Sequence, residues 1–173
     1  MRLFFALTFD DLSKKKLAIY QQVLHKHDIK GRDTRTENFH ITLAFIGESS
    51  SAQQVALRDI LQQLTAKCEP ILIDHLGSFR LKAGRLVWAG IADNPVLSSL
   101  QSQLSSKLVE GGFLSESRTY IPHITLARQV RGNAKLEQIS IEPYLVQARS
   151  VALMSSHHID NQIVYQIVDE WLC

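Results

Sequence analysis

Apolar and polar positions divide the 173-residue chain into short segments, each with its own period. Leu3-Phe4-Phe5-Ala6-Leu7 is a continuous apolar run, and residues 2–9 read as a buried strand. Asp10 then stands where a helix N-cap belongs, and Leu17, Tyr20 and Leu24 follow at helical spacing. Residues 30–37 are polar and charged and read as a loop. Residues 38–46 read as a strand ended by Gly47, and Gln53 to Leu64 as a helix with Leu57, Ile60, Leu61 and Leu64 on one face. Ile71 to Leu76 and Arg85 to Ile91 predict two strands joined by a basic turn, Arg80-Leu81-Lys82-Ala83-Gly84. Leu97, Leu100, Leu104 and Leu108 mark a third helix, terminated by Gly111-Gly112, and residues 113–120 lead as a loop into a strand that carries His123. Ala134 to Ile139 reads as a short helix, and Gln147 to Ser155 and Ile163 to Val168 as closing strands with Asn161 at their turn. The order predicts an α+β fold in which strands return to antiparallel neighbours.

One pattern occurs twice. Phe39-His40-Ile41-Thr42-Leu43-Ala44 and Pro122-His123-Ile124-Thr125-Leu126-Ala127 are offset by 83 residues (123 − 40). The same offset carries Arg2-Leu3-Phe4-Phe5-Ala6 onto Arg85-Leu86-Val87-Trp88-Ala89, Asp10 onto Asp93 and Leu17 onto Leu100. A strand, a helix and a histidine strand are thus expected twice, at about 2–46 and 85–129, inside one two-lobed domain spanning 1–173. In a strand, residues i and i+2 share a face, so His40 lies beside Thr42 and His123 beside Thr125. Packing alone gives no reason to keep both polar residues in both copies, because a buried polar group costs free energy unless it is paired. Histidine titrates near pH ~6.5, so one imidazole takes a proton while a second gives one. The threonine hydroxyls suit an anionic oxygen between the two imidazoles, and the whole suits in-line attack on a phosphate.

Composition narrows the setting without changing that picture. A net charge of +2 leaves any nucleic-acid contact to local patches. Cys68 and Cys173 are isolated, which argues against a disulfide framework and for a reducing cytoplasm. The apolar run at the start is short and followed by Asp10-Asp11, so neither a signal peptide nor a membrane span is expected. Lys14, Lys15 and Lys16 read as the solvated face of the first helix, with His25 and His27 near its C-terminus.

The two His-x-Thr-Leu phrases half a chain apart, the Arg-Leu-Phe-Phe-Ala start and the run Pro-His-Ile-Thr-Leu-Ala-Arg resemble the two-histidine phosphoesterases over essentially the whole chain, Arg2 to Trp171. Within them the match is to the bacterial RNA 2′,3′-cyclic phosphodiesterases, historically called 2′-5′ RNA ligases. The resemblance implies two lobes of antiparallel sheet and flanking helices about a pseudo-twofold, with the site in the cleft between them. It implies hydrolysis of RNA 2′,3′-cyclic phosphate ends to 2′-phosphates without metal or other cofactor, and in some members ATP-independent 2′-5′ joining. His40 then corresponds to the proton donor for the departing ribose oxygen, His123 to the base that activates water, and Thr42 and Thr125 to the phosphate-contacting threonines. Arg128 corresponds to the arginine after the second motif. Its counterpart in the first half is Phe45, and strict alternation turns Arg128 away from Thr125 unless the strand ends or twists.

Rival readings set out what else the residues offer. His75, His157 and His158 are the metal-ligand candidates, but neighbours on a strand face opposite ways. Neither cysteine lies beside a motif histidine, which disfavours a thiol nucleophile. A non-catalytic RNA-binding surface has Arg80, Lys82, Arg118, Arg128 and Arg131 with Phe79 and Tyr120. Small cyclic nucleotides or 2′-5′ oligonucleotides remain substrates within the same family reading. No membrane and no obligate protein partner is expected.

Overall fold

The computed structural model describes residues 1–65, 67–114 and 119–173. Its elements are β1 (Arg2–Phe9), α1 (Asp11–Lys26), β2 (Arg32–Asp33), β3 (His40–Glu48), α2 (Ser51–Gln62), β4 (Ile71–Leu81), β5 (Gly84–Ile91), α3 (Pro95–Glu110), β6 (His123–Val130), β7 (Tyr144–Val146), β8 (Ala148–Ile159) and β9 (Gln162–Leu172). Single 3-10 turns stand at Thr36–Asn38 and Leu136–Gln138. Each long helix begins on a side chain that accepts from its first turn: Asp10 from the Ser13 amide, Ser50 from Gln53 and Asn94 from Leu97. In the second half the cap is therefore Asn94, one residue past the Asp93 that the repeat aligns with Asp10.

The strands run β7-β4-β5-β6-β3-β1-β8-β9, all pairs antiparallel, with β2 added against β6. Two antiparallel lobes, β7-β4-β5-β6 and β3-β1-β8-β9, thus lie edge to edge in one sheet. Their seam is a single register pair, Ile41 opposite Ile124, and these two residues are equivalent under the 83-residue offset. Alternation along the strands separates the two faces. Leu3, Phe5, Leu7, Ile41, Leu43, Ile124 and Leu126 join Leu17, Leu24, Leu57, Leu61, Leu100 and Leu104 of the helices in one core. His40, Thr42, His123 and Thr125 point to the other, helix-free face.

Four expectations are corrected. The loop at 30–37 contains β2, too short to carry a period of its own. The helix at 134–139 is one 3-10 turn, and β7 follows it unannounced. The basic turn is smaller than read, because β4 runs through Arg80 and Leu81. Most consequentially, Cys68 and Cys173 are not isolated but form a disulfide, with Cα atoms 5.5 Å apart across a separation of 105 residues. Spacing along the chain carries no information about such a contact. The turn at Asn161 is as expected, with Asp160 and Asn161 both left-handed at φ 51° and 63°. Arg118 lies outside the described residues.

Candidate active site

The two histidine strands fold with the same irregularity. Pairing of β3 with β1 shifts register between Phe5/Ala6, and pairing of β6 with β5 shifts between Val87/Trp88. Each shift accommodates one extra residue, so Leu43 and Ala44 in one strand, and Leu126 and Ala127 in the other, are both buried in the core. The residue after each bulge changes faces. Phe45 and Arg128 therefore join the side of the histidines, and both line the same cavity. The twist that Arg128 needs is thus present, and in both halves.

Helix side chains hold the bulges. The Gln21 amide of α1 donates to the carbonyls of Thr34 (2.8 Å) and Leu126 (2.9 Å), and the Gln101 amide of α3 donates to the Leu43 carbonyl (3.4 Å). Leu43 and Leu126 are equivalent bulge positions. Each is satisfied by the glutamine of the other half, so the two halves brace one another crosswise.

The cavity, about 380 Å³, is lined by His40, Thr42, His123, Thr125 and Arg128, all five sequence candidates, together with Arg32, Arg35, Phe45, Tyr165 and others. Both imidazoles are oriented in the same way. Nδ1 of His40 lies 2.7 Å from the Asn38 carbonyl, and Nδ1 of His123 lies 2.7 Å from the Ile121 carbonyl. A carbonyl only accepts, so Nδ1 carries the hydrogen in both rings and Nε2 is left for chemistry. The rings differ in what Nε2 meets. That of His40 lies 3.0 Å from Thr42 Oγ1, and that of His123 has no partner among the described residues. The threonine is itself fixed from behind, since the Tyr120 hydroxyl donates to its carbonyl at 2.8 Å.

Aromatic rings enclose each imidazole. His40 packs on Phe4 and Tyr165 at 5.3 and 5.2 Å between centroids. His123 packs on Phe79 and Trp88 at 5.0 and 6.0 Å. Trp88 lies flat over Gly77, where a β-carbon would come within 2.2 Å of the indole, so only glycine fits there. Burial among these rings disfavours a charged imidazole, and the Arg128 guanidinium adds to it. His40 is pushed down to about 4, mainly by desolvation, with the Asn38 carbonyl opposing and Arg128, His123 and Lys14 adding to the shift. His123 is lowered by the same causes, desolvation first, against its bond to Ile121. Without an anion between them both rings are neutral at pH 7.

The remaining candidates go elsewhere. His75 Nδ1 is bonded to Asp74 (2.6 Å) and His157 Nε2 to Ser155 (2.8 Å), and among the described residues no three His, Cys, Asp or Glu side chains gather as a metal site. Arg80 and Lys82 are exposed at the β4–β5 tip and Arg131 beyond β6. The sequence reading missed Phe4 and Tyr165 as neighbours of His40, Trp88 as a neighbour of His123, and Arg32 and Arg35 on the cavity wall. Only the arginines carried a signal, the charge density of residues 30–37.

The chain is similar to known proteins in sequence and in fold. The chain is 31% identical over 104 residues to the RNA 2′,3′-cyclic phosphodiesterase of Geobacillus stearothermophilus, a match that takes in 58% of this chain and 33% of that protein. It is 29% identical over 143 residues to the RNA 2′,3′-cyclic phosphodiesterase of Escherichia coli, with 82% of this chain and 77% of that protein covered. The crystal structure of E. coli LigT complexed with 3′-AMP superposes with a TM-score of 0.79 at 26% identity, covering 99% of this chain and 97% of that one. The model of one family accounts for residues 21–159, and the chain belongs to that family, the 2′-5′ RNA ligase superfamily.

Proposed function

We propose that the protein hydrolyses RNA 2′,3′-cyclic phosphate ends to 2′-phosphates, as one catalytic unit made of two related halves. The observation that carries this reading is the pair of imidazoles on one cavity, each with Nδ1 tied to the carbonyl two residues before it and Nε2 presented to the space between. The names of the relatives, RNA 2′,3′-cyclic phosphodiesterase, supply the substrate class.

In this mechanism the cyclic phosphate sits between the two His/Thr pairs, with Arg128 against its oxygens. Its negative charge opposes that of Arg128 and favours an imidazolium at His40. Water attacks phosphorus and loses its proton to Nε2 of His123, the free lone pair of the two. The bond from phosphorus to the 3′ oxygen breaks, and that oxygen takes the proton from Nε2 of His40. An acid whose pKa is held low is a strong donor once charged, which suits His40 to the leaving group. The Thr42 hydroxyl, which donates to Nε2 of neutral His40, is released to the phosphate when that nitrogen is protonated. Joining through a 2′-5′ bond is the same path in the same direction, with the 5′ hydroxyl of a second RNA end attacking phosphorus in place of water.

Every group invoked belongs to the chain, so turnover is expected to survive exhaustive chelation. Purified, chelator-treated protein should be assayed on RNA cyclic ends, cyclic mononucleotides and 2′-5′ dimers. Release of a 2′-phosphate from the cyclic substrates supports the reading; activity that returns only with added zinc or manganese, or a 3′-phosphate product, overturns it. We place the work in the cytoplasm. The structure has no helix among the described residues that is long and apolar enough to cross a membrane. The Cys68–Cys173 bond is at odds with a reducing compartment, and alkylation of the protein in acid-quenched cells decides between them.

A further inference from the structure

The register of β2 against β6 places Arg32 directly opposite Arg128. Like charges directly opposite on adjacent strands destabilise a sheet. The close approach is nevertheless built in. A β-carbon on Gly31 would come within 2.5 Å of the Arg128 carbonyl and 2.7 Å of Val130, so glycine is what lets β2 dock there. The Arg32 guanidinium is anchored, not loose: it donates to the Asn161 carbonyl (3.0 Å), in the left-handed turn between β8 and β9.

Charge on the cavity wall is out of balance. Arg35 is satisfied by Glu37 and by Gln162, and the Asp33 carboxylate is bonded to His25. Arg128 has no hydrogen-bonding or ionic partner among the described residues, and Arg32 has only a neutral carbonyl. Arg32 and Arg128, neither of them ion-paired among the described residues, thus share one wall, with the Asp33 carboxylate turned to His25, and a cyclic phosphate brings a single negative charge. Arg128 follows the second histidine motif on the same strand and belongs to the reacting phosphate. Arg32, on the neighbouring strand, is left for another anion.

Resting on the reading above, we propose that Arg32 binds the backbone phosphate that precedes the reacting one, so that the cavity selects RNA chain ends over cyclic mononucleotides. The anchoring to the β8–β9 turn holds the guanidinium at the cavity wall, and the repulsion from Arg128 is relieved when both phosphates are in place.

The test compares kcat/KM for a short oligonucleotide ending in a 2′,3′-cyclic phosphate with that for a cyclic mononucleotide. Arg32→Gln should lower the oligonucleotide-to-mononucleotide ratio by about ten-fold, mostly through KM, the scale of one charged hydrogen bond. The slope of log kcat/KM against log salt should fall by about 0.7 for the oligonucleotide, one phosphate contact on a single strand. Arg32→Lys, which keeps the charge, should recover most of the slope, and Arg128→Gln should harm both substrates. Equal losses on both substrates with Arg32→Gln, or no change in ratio and slope, overturns the proposal while leaving the hydrolase reading intact. Turnover of neither substrate by the unaltered protein overturns that reading instead. Calorimetry with a 2′-phosphate-ended dinucleotide and a 2′-mononucleotide, which are not turned over, then tests Arg32 alone by the same ratio.

Discussion

Gln21→Leu removes the brace under the second bulge while keeping side-chain volume and helix propensity close to native. Gln21 is 8% exposed and its amide makes two well-placed bonds, at 2.8 and 2.9 Å. Each is worth about 1 kcal/mol net. The Leu126 carbonyl keeps the Thr34 amide at 2.9 Å, but the Thr34 carbonyl is left without that partner beside the open cavity, near the low end of the ~1–3 kcal/mol range for an orphaned acceptor. Burying leucine in place of an amide returns about 1 kcal/mol. The net loss is about 2 kcal/mol, or roughly 4–8 °C in Tm for a domain of this size. Gln101→Leu loses one long bond of 3.4 Å and should cost less than half as much. Urea unfolding of the two variants checks the ranking, and KM for a cyclic substrate reads Arg128, two residues past the bulge. A loss below about 0.5 kcal/mol for Gln21→Leu refutes the crosswise brace, and a Gln101→Leu loss as large as that of Gln21→Leu refutes the ranking.

His40→Ala and His123→Ala should each lose ~10²–10⁴ in rate, with the double variant losing less than the product. A good leaving group in place of the ribose oxygen should partly rescue His40→Ala alone; rescue of His123→Ala instead would reverse the two roles. The pH dependence of stability carries a sign. The unfolded His40 imidazole takes a proton near 6.5 and the folded one only near 4, so between these values the unfolded state binds more protons and stability falls as pH falls. Urea midpoints of the wild type should therefore drop more steeply from pH 7 to pH 4 than those of His40→Gln, and parallel curves would show that the ring titrates freely. Reduction of Cys68–Cys173 should cost about 2–4 kcal/mol, and a urea midpoint indifferent to reductant would show that the bond carries no stability.

Most of the site was legible because it is local. The two His-x-Thr runs declare the face, and period-two alternation put Thr42 and Thr125 beside their histidines. The long strands and the Asp10 cap follow from the same local rules. What was illegible depends on contacts between distant segments. Nothing in Leu43-Ala44 or Leu126-Ala127 announces a bulge, since apolar residues suit either face, and counting by twos past a bulge assigns every later residue to the wrong side. Arg128 was misdirected by that count alone. β2 is two residues long and exists only because Gly31 admits it to β6. Phe79 and Tyr165 come from β4 and β9, and Cys68 meets Cys173 across most of the chain.

The single register pair at the seam has a mechanical meaning. A ladder of many rungs would lock the two halves at one angle; one rung leaves that angle to the side chains packed beneath the sheet. Ile41 and Ile124 are equivalent residues, so the rung lies on the pivot about which the halves exchange. His40 and His123, each one residue before the rung, are thereby set at equivalent places on either side of one pivot, so the symmetry of the fold fixes the midpoint between the two imidazoles.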